Sequence, residues 1–198
     1  MDSKLYASIK RRNVIKTFGG LLGLSIAHAS HASLSSTPMQ TMGPFYPVSR
    51  PLDEDMDLTR LKGKLGRAEG QIIEVTGQVL NSKGKPVANA RVKIWQANTH
   101  GKYDHEGDIN TAPLDPNFQG FAEQLTDEQG RYRFRTVKPG AYPINPINQT
   151  NIRPPHIHFD ITGKVDRLVT QMYFPNEPLN QGDIIYKELG EEQKSVLA

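Results

Sequence analysis

The stretch Arg-Pro-Pro-His-Ile-His-Phe-Asp, residues 153–160, sets three metal-binding side chain types at every second position: His156, His158 and Asp160. Alternation along a strand turns all three to one face. Successive Cβ atoms on that face stand about 6–7 Å apart, within reach of one shared ion. Imidazole is the commonest metal ligand. Two histidines and one carboxylate are also the ligand set of ferrous oxygenases, so a two-His-one-carboxylate centre is one expectation. The plainer expectation is a pair of hydrogen-bonded histidines on a polar face. Arg153, three residues ahead of His156, adds a fixed positive charge.

A strand carrying these residues needs neighbours. From residue 71 the chain reads as short strands broken by turns: 72–80, 90–97, 131–137, and a pair at 155–163 and 166–174. Val92 and Ile94 alternate with Arg91 and Lys93, and Tyr132 shares a face with Phe134. Turn signals stand at 82–86 and 127–130. Little helix and regular turns predict an all-β antiparallel sandwich or barrel. Residues 98–121 lack periodicity, and a loop of that length is usually functional. Residues 33–70 carry prolines at 38, 44, 47 and 51 and read as an extended arm.

The chain has 198 residues, a net charge of +3 and no cysteine. Disulfides, thiolate metal sites and a cysteine nucleophile are thereby excluded. Residues 1–32 hold five basic residues and one acid, which leaves −1 for the remainder. The basic surplus sits at the N-terminus, so nucleic-acid binding is not expected. There, Arg11-Arg12 precede a short apolar run, Phe18 to Ile26, and the small-x-small sequence Ala27-His28-Ala29. That order resembles a twin-arginine export signal, and the run is too short for a stable membrane span. The expected product is periplasmic or exported; without such a signal it is cytoplasmic. The chain thus divides into a signal at 1–32, an extended arm at 33–70 and a β-sandwich catalytic domain at 71–198.

Further stretches surround the histidine strand with a recognisable pattern. They are WQANTHGKYDHEGD (95–108), TDEQGRYRFRTVKPGAYP (126–143), GPFYP (43–47), APLDPNFQG (112–120) and TQMYF (170–174). In this order, from Thr41 to Pro175, they closely resemble the intradiol ring-cleavage dioxygenases, and within these the protocatechuate 3,4-dioxygenase type. The resemblance implies a transthyretin-like antiparallel β-sandwich with long active-site loops. It implies a mononuclear Fe(3+) held by Tyr103, Tyr142, His156 and His158, with Tyr142 and His158 axial. Ferric iron is a hard acid that suits anionic oxygen donors. A free phenol has a pKa near 10; a trivalent cation holds it as phenolate. The implied reaction takes a catechol-type substrate and O2 to a cis,cis-muconate-type diacid. Tyr142 acts as internal base, Arg153 stabilises negative charge on the ring, and Gln171 lies near the oxygen-side pocket.

The same resemblance makes Gly43, Pro44 and Phe45 candidates for substrate contacts, in a segment that a partner chain often supplies. A homo- or hetero-oligomer is therefore expected. Ile144 falls where these enzymes commonly carry a tryptophan against the substrate, so the identity of the catechol stays open. Asp160 falls outside the implied ligand set. Tyr132 and Tyr173 are expected in the core, and Trp95 fits either the core or the site. His100 and His105 are expected to be solvated or beside the site. Two rivals remain: a metal-free transthyretin-like binding module, and the ferrous two-His-one-carboxylate oxygenase.

Overall fold

The computed structural model describes residues 35–48 and 55–198. The expected export signal, residues 1–32, lies outside them. Among the described residues no helix is long and apolar enough to cross a membrane.

Eight strands form in chain order: β1 (Ile72–Gln78), β2 (Arg91–Trp95), β3 (Phe121–Leu125), β4 (Arg131–Val137), β5 (Tyr142–Asn145), β6 (Thr150–Arg153), β7 (His156–Thr162) and β8 (Arg167–Tyr173). β1, β2, β4, β7 and β8 stand where period-two patterning predicts them. β3, the β5–β6 pair and the C-terminal helices were not expected. The sequence of β3, Phe-Ala-Glu-Gln-Leu, has little intrinsic strand preference, and its pairing with β2 makes it a strand. β5 contains Pro143, and the β6 end of its turn uses left-handed backbone at Gln149 and Asn151. A 3-10 turn (Pro178–Gly182) is followed by α1 (Ile184–Lys187) and α2 (Glu191–Leu197), all too short to show a helical period.

The fold is an antiparallel β-sandwich. One sheet has the order β3-β2-β7-β8 and the other pairs β1 with β4; β5 and β6 form a separate two-stranded ribbon. Alternation divides the residues of the larger sheet. Val92, Ile94, Ala122, Ile157 and Phe159 face inward and meet Val75 and Phe134 of the β1–β4 sheet, with Leu58 between them. The side chains that can do chemistry stand on the opposite face. Cross-strand pairing aligns them there: Trp95 opposes His158, His158 opposes Gln171, and His156 opposes Tyr173. This register fixes the neighbours of each histidine, because a slip by one residue would turn them into the core.

The arm residues 38–46 run over this outer face. The Gln40 N–H donates to the Val169 carbonyl at 2.8 Å, and the Thr170 hydroxyl donates to the Pro38 carbonyl at 2.8 Å. Met42, Phe45 and Tyr46 pack against Trp95, Tyr103 and Tyr142. A groove of about 880 Å³ lies between β1 and the β7–β8 edge; Gln171 is among its lining residues, while His156, His158, Tyr103 and Tyr142 are not.

Candidate metal centre

Three separate elements supply the cluster. His156 and His158 come from β7, Tyr142 from the start of β5, and Tyr103 from the long loop after β2. Tyr103, Tyr142, His156 and His158 are all buried. The two imidazoles face one another, Nε2 to Nε2, at 3.2 Å, and the Tyr142 hydroxyl stands 3.5 Å from His156 Nε2. Tyr103 meets the Tyr142 ring edge-on, centroids 5.4 Å apart, and its buried hydroxyl interacts with that of Tyr142.

Local backbone features deliver each side chain. Asn98 closes the loop by accepting, on its side-chain oxygen, the N–H groups of His100 and Lys102. The Tyr103 N–H donates to Asp108 Oδ2 at 2.8 Å. Gly101, at φ 77°, lies against the chain just before β5; a Cβ there would come within 2.2 Å of the Ala141 carbonyl oxygen. Only glycine tolerates both the angle and the approach. His156 Nδ1 lies 2.6 Å from the Pro154 carbonyl, so it carries the proton and leaves the Nε2 lone pair pointing into the cluster. Trp95 stacks on His158 with rings 4.8 Å apart and 8° from parallel. Tyr46 braces the other side of Trp95, edge-on at 5.0 Å.

Electrostatics keep the four side chains neutral in the absence of a cation. Burial lowers His158 to about 3 and takes His156 well below its usual value, with the Arg153 charge adding in both cases. Burial raises Tyr103 well above the normal phenol value, and the neighbouring Tyr142 adds to the effect. Burial also raises Tyr142, while the Arg153 charge opposes it. Two buried imidazole Nε2 atoms and two buried phenol hydroxyls therefore come together with no carboxylate among them. This donor set fits a hard cation that can displace the phenol protons.

Asp160 shares the face of the two histidines but is held elsewhere. Arg167 grips its carboxylate through Nε at 2.8 Å and Nη2 at 3.1 Å, and Lys93 lies 4.0 Å away. Among the described residues no three His, Cys, Asp or Glu side chains gather as a metal site. The structure thus speaks against the ferrous two-His-one-carboxylate expectation: the strand alternation was sound, but a guanidinium has claimed the carboxylate.

Arg153, also buried, closes β6 directly opposite Tyr142. Its Nη2 donates to Gln171 Oε1 at 2.6 Å and lies 3.4 Å from the Tyr173 hydroxyl, while Nε faces Asp183 Oδ1 at 3.0 Å. Tyr173 is buried in a core cluster with Tyr186 and Leu197, as expected, and its hydroxyl also reaches Arg153. Asp183 had no signal in the sequence, since it lies in an unpatterned C-terminal stretch. Gln171 is fully buried and donates to the Thr41 carbonyl at 3.3 Å, tying the arm to the cluster.

The arm residues reach the centre within one chain. Gly43, at φ 73°, sits where a Cβ would lie 3.3 Å from His158 Cε1. Phe45 lies 4.7 Å from the Tyr103 ring and 6.1 Å from that of Tyr142, with His105 at its edge. Pro44 lies between these two contacts. Ile144 follows two residues after Tyr142 on β5 and is about half exposed. His100 pairs with Glu69 at the surface.

Fold and cluster together define a β-sandwich protein with a buried tyrosine–histidine cluster. Comparison with known proteins then names its kind. A family profile described as "Dioxygenase" matches residues 41–197. The protocatechuate 3,4-dioxygenase beta chain of Burkholderia cepacia is 52% identical over 136 residues, covering 67% of this chain and 57% of that one. The hydroxyquinol 1,2-dioxygenase of Rhizobium sp. (strain MTP-10005) is 32% identical over 183 residues, covering 85% and 59% respectively. Among solved structures, catechol 1,2-dioxygenase from Pseudomonas arvilla C-1 superposes with a TM-score of 0.59 at 28% identity, over 76% of this chain and 49% of that one. The chain belongs to the intradiol ring-cleavage dioxygenase family. It spans less than two thirds of the length of these curated relatives.

Proposed function

We propose that the protein is a non-haem iron intradiol dioxygenase that opens a catechol-type ring between its two hydroxylated carbons. The observation that carries this reading is the convergence of His156 and His158 Nε2 with the Tyr142 and Tyr103 hydroxyls, in a chain of this family. These four residues would hold the metal, and the phenols favour the ferric state. When bound, Fe(3+) supplies Lewis-acid charge that keeps both phenols ionised and accepts the catechol oxygens.

The remaining work falls to the chain. Tyr142 Oη, as phenolate, is the base that receives a hydroxyl proton from the incoming catechol. Arg153, beside Tyr142 and shielded from solvent, offsets negative charge that develops on the ring, where preorganised charge acts most strongly. Gln171 and Tyr173 hold the Nη2 end of that guanidinium. Gly43, Pro44 and Phe45 line the substrate side and exclude water, and Ile144 borders the opening where the choice of catechol is made. One catechol and one O2 give one cis,cis-muconate-type diacid, with both oxygen atoms in the product and no external reductant.

The test is oxygen uptake by iron-loaded protein against catechols with and without a ring carboxylate, hydroxyl or chlorine. Uptake with at least one, one O2 per catechol, is expected; none with any of them sinks the activity. A red-brown colour from ferric phenolate is expected too, and colourless protein that retains no iron would favour the metal-free module.

The Burkholderia relative is named as a beta chain, which supports assembly with like or unlike chains; the mass in solution tests this. Residues 1–32 support export through the twin-arginine route. Replacing Arg11 and Arg12 by lysine should then strand the protein in the cytoplasm, and unchanged fractionation would remove the reading.

A further inference from the structure

The carboxylate behind Arg153 has no part in the reaction as described, yet it is as buried as anything in the molecule. Asp183 is 1% exposed and sits between the 3-10 turn and α1. Its Oδ1 stands 3.0 Å from Arg153 Nε and also accepts the Ile185 N–H at 3.3 Å. The other end of the same guanidinium is held by Gln171 Oε1 at 2.6 Å. The Nε–H makes no directed hydrogen bond, so Asp183 holds that side of the guanidinium by charge at contact distance, while Gln171 holds the Nη2 side by a directed bond.

We propose that Asp183 is a positioning residue for Arg153: its buried charge, 3.0 Å from Nε, keeps the guanidinium beside the tyrosine–histidine cluster, and so couples the C-terminal helical segment to catalysis. This rests on the reading of Arg153 as the charge that stabilises the reacting ring.

The placement favours that role over a fold-stabilising one. Asp183 could cap α1 as well from a solvated position, because an N-cap needs only its oxygen near the first turn. Instead it is driven inward against a buried arginine, and its Oδ2 has no hydrogen-bond partner among the described residues. A buried carboxylate left half-satisfied calls for an explanation beyond capping. The segment that carries it is anchored for the purpose: Asn180, also buried, donates to the Phe174 carbonyl at 2.9 Å, just past the end of β8. Without the Asp183 charge, Arg153 keeps its own charge and its Gln171 and Tyr173 contacts at Nη2 but loses the anion that faces Nε. The guanidinium can then swing about Nη2.

Asp183→Asn is the informative change, since asparagine caps a helix as well as aspartate and has the same shape. In iron-loaded protein, kcat should fall about 10–100-fold, as is typical when the partner of a site residue is removed. KM, iron content and the visible band should stay close to wild type. In an Arg153→Met background the same change should cost little, because the group it positions is gone. An equal loss in both backgrounds would make Asp183 a structural residue and overturn the proposal.

A second readout needs no turnover. In protein loaded with diamagnetic Ga(3+), the guanidinium 15N signals of Arg153 should be sharp in wild type, and broadened or lost in Asp183→Asn. An unchanged signal would also overturn the proposal. If no catechol is consumed by wild type, the intradiol reading fails while the arginine signal still decides the role of Asp183. Should Asp183→Asn unfold, Asp183→Ser keeps a capping oxygen and serves in its place.

Discussion

At the scale of single residues, the tyrosines decide what the two histidines mean. His156 and His158 alone fit a polar face or a ferrous site; two buried phenols beside them fit a hard ferric ion. Tyr103→Phe and Tyr142→Phe should each remove one phenolate, so the visible band should shift and weaken in both. The turnover rate should fall at least about 100-fold in Tyr142→Phe, which also loses the base. A band unchanged in both variants would return the carboxylate site to consideration. Gly43→Ala adds a methyl 3.3 Å from His158 Cε1 at a φ of 73°. It should raise KM for catechol several-fold with the iron content unchanged, and an unaltered KM would remove the arm from the substrate wall. That Tyr103, Tyr142, His156 and His158 come together was legible because β7 alternates cleanly and because the two tyrosines fall in motifs that resemble a known family. Asp183, the reach of the Tyr173 hydroxyl to Arg153 and the Trp95 stack were not. Their roles come from contacts across the fold that no local spacing records, and a buried tyrosine in a strand looks the same whether it faces core or site.

At the scale of elements, β7 carries two jobs on its two faces. Ile157 is fully buried in the sandwich core while its neighbours His156 and His158 face the tyrosine cluster. Ile157→Ala should cost about 2–5 kcal/mol in denaturant unfolding yet leave the visible band in place. A lost band would mean the faces are not independent. Gly101→Ala should do the reverse. Its methyl would meet the Ala141 carbonyl and sit 3.2 Å from Tyr142 Cβ, displacing a ligand from the loop side. The core face also makes a prediction about pH. Burial raises Tyr132, at the sandwich edge, to about 12 from an ordinary phenol value of 10.0. The folded state therefore keeps a proton that the unfolded chain releases. The resulting stability is whole below pH 10 and is lost as pH rises toward 12. In urea titrations across that window, Tyr132→Phe should flatten the decline, and an identical decline would show the phenol carries none of it. The five patterned strands were legible because a half-buried strand must alternate. β3 and the β5–β6 ribbon were not, because tertiary pairing rather than residue preference makes them strands.

At the scale of the whole molecule, the site is assembled from the full span of the described sandwich chain. The arm supplies residues 40–46, the loop after β2 supplies Tyr103, the ribbon supplies Tyr142 and Arg153, the sheet supplies the histidines, and the C-terminal segment supplies Asp183. Such long-range construction explains why single motifs say little and their order says much. It also makes the burial of the centre depend on the arm. Phe45 covers both tyrosine rings, and its chain is tied to β8 by Gln40, Thr41 and the Pro38 carbonyl. If the arm seals the centre from its own chain, loosening it should admit solvent without changing the ligands. Phe45→Ala should therefore leave the iron content of freshly loaded protein unchanged while a small chelator strips the metal about 10-fold faster, the lower end of what losing such support typically costs. Size measurements on the same samples separate this from assembly: a faster loss at unchanged mass places the seal within the chain. A rate equal to wild type would mean that Phe45 packs on the tyrosines without guarding them.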